Sequence, residues 1–175
     1  MKEQDSIKHK FERNAKALSL KPNLGQGTGV SVTRITNGLS CEISEGDWKL
    51  HSDMPNQIGG NGSAPSPGVL GRAALGSCLA TGYMLWASKL DVPIDKLEVC
   101  IEADYDDGAL FASSNAFPGY SEVRYTVKIK SPRSLLEIEK FLDKAEQHSP
   151  YLDVFSRAQL CKRNIELIKT QKNES

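Results

Sequence analysis

The sequence lacks the features that mark several classes of protein. Its longest apolar stretch, between Arg72 and Lys89, is shorter than the ~20 residues that a transmembrane helix needs. The charged segment Met1–Leu20 has no apolar core of the kind found in secretory signals. The 22 basic and 22 acidic residues balance, so no charge excess favours nucleic acid or an anionic membrane. We therefore expect a cytoplasmic protein that binds neither nucleic acid nor membranes.

Cysteines are few and widely spaced. The four are Cys41, Cys78, Cys100 and Cys161, and no two form the CxxC pair that is typical of structural zinc sites. With 175 residues, of which 39% are apolar, the chain can bury a core without a disulfide framework. We expect no metal and no cofactor. We also expect one main domain, residues 26–175, preceded by an N-terminal helix and linker at residues 1–25.

The chain is organised around one long apolar segment that begins after Ser66. Ser66 followed by Pro67 predicts a helix start, because a serine hydroxyl can cap backbone amides and a proline in the first turn loses no hydrogen bond. Pro93 marks its end. A helix from about Pro67 to Lys89 would be roughly 34 Å long at 1.5 Å per residue. It has no wide polar face, so we expect it to be buried on nearly all sides.

Strand patterns flank this helix on both sides. Alternation of polar and apolar residues predicts three strands before it and two after it. Asn37-Gly38 is a strong hairpin signal, and Gly46 marks the next turn. A long loop at 106–120 separates the last two strands. The five predicted strands cover about residues 30–36, 39–44, 48–51, 97–105 and 121–130.

Other elements are predicted at the two ends of the chain. A charged N-terminal helix carries a narrow apolar stripe that predicts docking onto the rest of the protein. The stripe comprises Ile7, Phe11, Ala15 and Leu18. After the fifth strand we predict a helix from Ser134 to about His148, a short helical turn through Phe155 and a last strand at Lys162–Thr170. This order of elements indicates an α+β domain.

Cys78 lies near the middle of the predicted central helix. Gly76, Ser77, Thr81 and Gly82 surround it, and such small residues would let a slim substrate approach the sulfur. From residue chemistry alone, most free cysteines in apolar helices are small buried hydrophobes. The same structural interpretation applies to Cys41 in its predicted strand.

Three segments, PSPGVLGRAALGSCLATG, DMPNQIGGNG and AEQHSP, resemble the OsmC/Ohr family of thiol-dependent peroxidases, in its OsmC-like branch. The resemblance runs from about Val30 to Ile168. It implies an intertwined homodimer, with two antiparallel sheets around long central helices and active sites at the subunit interface. It also implies that Cys78 is the peroxidatic cysteine of a hydroperoxide reductase.

The same resemblance assigns further site residues and shows two departures. The arginine that activates the family's cysteine corresponds loosely to Arg34, with Arg72 on the helix itself as an alternative. Gly68 and Val69 occupy the positions of the family's helix-start glutamate. Ser149 occupies the position of the resolving cysteine, and a serine cannot close a disulfide. The resemblance therefore implies a cycle with one peroxidatic cysteine and resolution by an external thiol or another cysteine.

Two other functions stay open at this point. A non-catalytic OsmC-like protein would use the same apolar interface to hold a hydrophobic small molecule. A cysteine hydrolase would pair Cys78 with His51 or His148, and it would need a third group to orient that histidine.

Overall fold

The computed structural model describes residues 2–168, which form an α+β arrangement with two small antiparallel sheets. The helices are α1 (Lys2–Leu20), α2 (Pro67–Lys89), α3 (Asp107–Leu110), α4 (Leu135–Glu146) and α5 (Pro150–Ser156). The strands are β1 (Val32–Asn37), β2 (Ser40–Glu45), β3 (Trp48–Ser52), β4 (Lys96–Asp104) and β5 (Glu122–Lys130). Short 3₁₀ turns follow α1, within the predicted linker, and β3. Within the described part of the chain, no helix is both long and apolar enough to cross a membrane.

Helix α2 has the predicted bounds and supplies most of the core. Ser66 takes the N-cap position before Pro67, although its side chain makes no capping hydrogen bond. The buried face of α2 packs against β4, β5 and α4. The buried apolar residues of these elements are Leu75, Leu79, Tyr83, Ala87, Phe141 and Ala145. On β4 and β5 alternate side chains turn toward this core, as the period-two pattern predicted.

A single chain does not bury α2 on all sides, so the expected burial, which needs a partner subunit, stays a prediction. Five residues spaced four apart form one exposed face, which we call the α2 stripe. The stripe consists of Val69, Ala73, Ser77, Thr81 and Leu85. Residues four apart are neighbours on the surface of a helix, and the five side chains of the stripe stay exposed within residues 2–168. One chain therefore encloses only part of its central helix.

The first sheet, formed by β1, β2 and β3, adds little to this core. Ile43 of β2 pairs with Thr33 on one side and Leu50 on the other, in antiparallel register. The hairpin turn is Gly38-Leu39, one residue later than predicted, and Gly38 has a φ of +55° that suits glycine there. β1 is exposed along its whole length, and Trp48 of β3 is 77% exposed.

Helix α4 and the chain after it confirm one prediction and correct another. At the start of α4, the Ser134 hydroxyl accepts the Glu137 N–H, and the Glu137 carboxylate accepts the Ser134 N–H.

The predicted last strand at Lys162–Thr170 is wrong in its described part, because residues 157–168 are exposed and form no regular structure. Residues 169 and 170 lie outside the described residues. Alternation alone does not produce a strand without a neighbouring edge to pair with.

Helix α1 docks onto the second half of α2, but along a shorter stripe than predicted. Ile7 and Phe11 are half-buried, whereas Ala15 and Leu18 are exposed. Phe11 packs edge-on against Trp86, with ring centroids 5.4 Å apart. Gln4 and Lys8 contact Val92 and Asp91 at the end of α2, so α1 runs antiparallel to α2. Leu18, near the end of α1, lies beside Gly25 of the following 3₁₀ turn instead.

Candidate functional site

An open groove of about 590 Å³ runs along α2 beside the start of α5. One wall consists of α2 residues and the other of the segment 148–151 that connects α4 to α5. The groove residues of α2 are Ala74, Ser77, Cys78, Thr81, Gly82, Leu85 and Trp86. His148, Ser149, Pro150 and Tyr151 form the opposite wall. Because most of the lining is apolar, the groove suits the hydrocarbon part of a small molecule.

Cys78 and Ser149 face each other across this groove. The Cys78 Sγ and the Ser149 Oγ lie 3.7 Å apart, although 71 positions separate the two residues in sequence. Ser149 is 6% exposed and caps α5, where its Oγ accepts the Leu152 N–H at 3.4 Å. Pro150 begins the helix and fixes this geometry, since proline suits the first helical position. The structure thus brings together the two residues that the sequence paired.

His148 lies at the edge of the same groove but is held by an aromatic contact. Its ring stacks on Trp86, with centroids 4.8 Å apart and an interplanar angle of 12°. The Lys144 Nζ lies 5.9 Å from the centre of the Trp86 ring. Within residues 2–168 no side chain hydrogen-bonds the His148 ring to orient it as a base. This arrangement gives the hydrolase interpretation no support.

The two candidate arginines lie outside the groove. Arg34 is on exposed β1, where it pairs in register with Glu42. Arg72 is half-buried near the start of α2, and its Nη1 donates to the Tyr120 Oη at 3.3 Å. His51, on β3, is also exposed and away from the groove lining. Within one chain, neither arginine lines the groove beside Cys78.

A buried tyrosine behind the groove was missed by sequence reasoning. Tyr83 is 1% exposed, and its hydroxyl donates to the Glu146 Oε1 at 2.7 Å. Burial, followed by this contact with Glu146, raises the pKa of Tyr83 well above its ordinary range. The bond ties the end of α4 to α2, just before the segment that carries Ser149. The sequence did contain a signal for this contact. A tyrosine in an otherwise apolar helix predicts a hydrogen-bond partner, because a buried hydroxyl needs one.

A buried carboxylate organises the loop that leads into α2. Asp53 is 1% exposed and accepts hydrogen bonds from the Ser63 hydroxyl at 2.8 Å and from the backbone N–H groups of Met54, Asn61 and Ser63. The bonds from Ser63 and the Met54 N–H, the Ser63 hydroxyl first, lower the pKa of Asp53 to about 2. Nearby, a Cβ on Gly60 would lie 1.8 Å from the Met54 carbonyl oxygen, so this approach requires glycine. The loop is therefore built to position the start of α2.

No metal site accompanies these groups in the part of the chain that the structure describes. Residues 2–168 contain no set of three His, Cys, Asp or Glu side chains that is arranged to hold a metal ion.

Comparison with known proteins finds one family and one fold. The sequence model of the OsmC-like protein family matches residues 60–161, which include both Cys78 and Ser149. An OsmC-like protein from Mycoplasma pneumoniae is similar in structure, with a TM-score of 0.65 and 17% identity over 75% of this chain and 89% of that one. No protein with a curated description matches the chain.

Two further solved structures share the fold at similar identity. An organic hydroperoxide resistance protein OsmC from Legionella pneumophila has a TM-score of 0.55 and 20% identity over 74% of this chain and 89% of that one. An organic hydroperoxide resistance protein from Elizabethkingia anophelis has a TM-score of 0.55 and 18% identity, covering 74% and 88%. At these identities the neighbours show the fold alone.

Proposed function

Because the chain belongs to the OsmC-like family, we propose that it is a thiol-dependent hydroperoxide reductase that acts on organic hydroperoxides through Cys78. The observation that carries this proposal is the position of Cys78, half-buried in an open and mainly apolar groove. The groove has room for the hydrocarbon part of an organic hydroperoxide beside the sulfur. Two structural neighbours described as organic hydroperoxide resistance proteins support the same substrate class.

The proposed reaction begins at the Cys78 thiolate. A sulfur electron pair attacks the terminal oxygen of ROOH, the O–O bond breaks, and the alkoxide leaves with that bond's electron pair. The alkoxide takes a proton to become ROH, and Cys78 becomes a sulfenic acid. An external thiol then forms a mixed disulfide with release of water, and a second thiol restores Cys78 and leaves as a disulfide.

The positions of the other cysteines support resolution by an external thiol. Ser149 has no sulfur, so the residue nearest to Cys78 in the facing wall cannot complete a disulfide. Cys41 lies in β2, Cys100 is exposed on β4, and Cys161 is exposed after α5. None of these three lines the groove. The oxidised sulfur is therefore open mainly to thiols that enter from solvent.

Consumption of cumene hydroperoxide with dithiothreitol as reductant tests the proposal. We expect the wild-type protein to consume the hydroperoxide and Cys78→Ser to lose this activity. The matched control is Cys100→Ser, which removes an exposed thiol and should retain it. A dimedone-type probe should label Cys78 after brief exposure to peroxide. A well-folded wild-type protein that neither consumes hydroperoxide nor accepts the probe at Cys78 would overturn the proposal.

A second candidate function is non-catalytic binding of a hydrophobic small molecule. Two observations favour it: the groove has an apolar lining, and neither candidate arginine lies beside Cys78 within one chain. In that case, hydrophobic ligands should raise the melting temperature equally in wild type and Cys78→Ser, while hydroperoxide is not consumed. A reductase would instead show turnover that depends on Cys78.

A further inference from the structure

A thiolate at Cys78 needs a stabilising group close to the sulfur. The residue lies roughly three turns inside α2 at 3.6 residues per turn, where the helix dipole has faded. Among the groove residues the other titratable side chains are His148, stacked on Trp86, and Tyr151. Lys144 lies over the Trp86 ring. The polar group that the described contacts place against the sulfur is the Ser149 hydroxyl.

The hydrogen bonds of Ser149 define which way its proton can point. Its Oγ accepts the Leu152 N–H at 3.4 Å, because Ser149 is the N-cap of α5. The hydroxyl proton is not used by that bond and can point toward the Cys78 Sγ, 3.7 Å away. A thiolate carries no proton and acts only as an acceptor. Once Cys78 ionises, Ser149 must therefore be the donor of this pair.

We infer that Ser149 is a catalytic residue whose hydroxyl donates to the Cys78 thiolate and holds it ready for attack. The chain Leu152 N–H to Ser149 Oγ–H to Cys78 Sγ strengthens this donation, since hydrogen bonds in series polarise one another. Burial increases the effect, because Ser149 is 6% exposed and little water competes for the sulfur on that side. A serine at this position cannot form a disulfide with oxidised Cys78, but its hydroxyl can stabilise the Cys78 thiolate before the reaction.

The inference rests on the proposed function, because that function gives the thiolate its role. The effect of the hydrogen bond on Cys78 can nevertheless be measured without an assay of hydroperoxide reduction. In a protein that keeps only Cys78, the rate of alkylation by iodoacetamide, followed as the pH is varied, reports how much of that thiol is reactive thiolate. Ser149→Ala should slow this alkylation near neutral pH by roughly tenfold, the expected effect of losing one hydrogen bond to a charged group. Ser149→Thr keeps the hydroxyl and should keep the wild-type titration.

Ser134→Ala is the matched control for loss of a helix cap. Ser134 caps α4 as Ser149 caps α5, but it is not part of the groove. We expect this variant to lose stability without a change in the titration of Cys78. If Ser149→Ala does not fold, Ser149→Gly provides the same measurement, because glycine is a better N-cap residue than alanine and costs little stability relative to serine.

The outcomes separate this inference from the proposed function. If Ser149→Ala titrates like the wild type while hydroperoxide is still consumed, the donor role is wrong and the reductase stands. If the wild type consumes no hydroperoxide but the alanine variant shifts the titration and the threonine variant restores it, the donor role stands and the reductase is wrong. A shift of the same size in Ser134→Ala would overturn the donor role, because cap loss alone would explain the change.

Discussion

At the scale of single residues, the pair Cys78 and Ser149 carries most of the chemistry proposed for this chain. Their facing atoms are 3.7 Å apart, and the break between α4 and α5 holds the serine in place. Because of this geometry, the γ atom of residue 149, oxygen or sulfur, determines whether an oxidised Cys78 can form a disulfide within the chain.

Ser149→Cys should form a disulfide with Cys78 after mild peroxide treatment and turn over faster with a dithiol reductant. The facing side chains already lie within a small movement of the S–S bond length of about 2.05 Å. Intact mass should show the loss of two hydrogens, and peptide mapping should locate the link. The wild type should stop at sulfenic acid or over-oxidise to the sulfinic form. An oxidised variant without the 78–149 link would contradict this prediction.

Asp53 is the second residue whose environment predicts a measurable effect. Its pKa is lowered from 3.8 to about 2, chiefly by the Ser63 hydroxyl. A lowered pKa stabilises the folded state above pH 4, and this contribution is lost as the pH falls from about 4 to about 2, where the folded protein must also take up the proton. Asp53→Asn should therefore melt at a lower temperature at pH 7 and lose less stability across that acidic window.

Thermal melting between pH 2 and pH 7 checks the effect of Asp53. Asp47→Asn is the control, because Asp47 lies in the exposed β2–β3 turn and its loss removes one charge without removing a buried acceptor. Parallel curves of melting temperature against pH for wild type and Asp53→Asn would show that the buried carboxylate does not stabilise the loop.

At the scale of elements, α1 supports the groove from behind. Phe11 packs edge-on against Trp86, which in turn stacks on His148 at the groove wall. Lys8 also forms an ion pair with Asp91 just after α2. Docking of α1 thus connects the N-terminal helix with the shape of the site.

Phe11→Ala should lower the free energy of unfolding by about 1–2 kcal/mol, less than the loss for a fully buried phenylalanine, because Phe11 is only half-buried. The matched control on the same helix is Leu18→Ala, and Leu18 is 42% exposed. That control should change stability by no more than about 0.5 kcal/mol. Urea unfolding followed by circular dichroism measures both. Equal losses in the two variants would show that α1 does not dock through Phe11.

At the scale of the whole molecule, one chain leaves apolar surface uncovered in two places. The α2 stripe stays exposed within residues 2–168, with Leu85 at 38%, and the first sheet exposes Ile35 and Trp48 at 64% and 77%. Contiguous apolar surface of this kind typically marks an interface. We propose a homodimer that buries the α2 stripe, and in such a dimer Arg34 would act on Cys78 only across the subunit interface.

Leu85→Glu tests the proposed dimer, because Leu85 belongs to the stripe. We expect light scattering to give a dimer for the wild type and a loss of both dimer and folded structure for the variant, since an unpaired buried charge is severely destabilising. Leu135→Glu is the control, as Leu135 is 73% exposed in the first turn of α4, away from the stripe. A well-folded wild-type monomer would contradict the proposal.

Local sequence was enough to predict the elements that depend on neighbouring residues. Proline after serine marked the start of α2, and the turn glycines marked both hairpins of the first sheet. Period-two alternation marked the facing side chains of β4 and β5. The motif around Cys78 also predicted the family correctly, because its residues are adjacent in the chain and can be recognised without knowledge of the fold. These features follow from the backbone preferences of neighbours in the chain.

Which of these elements contact one another is seen only in the folded chain. It placed Ser149 against Cys78 and left Arg34 on an exposed strand. It bound the hydroxyl of Tyr83 to Glu146, exposed one face of α2 and left residues 162–168 without a strand partner. Periodicity shows that a side chain needs cover, but it does not show which distant segment provides it. That choice depends on packing between residues far apart in sequence.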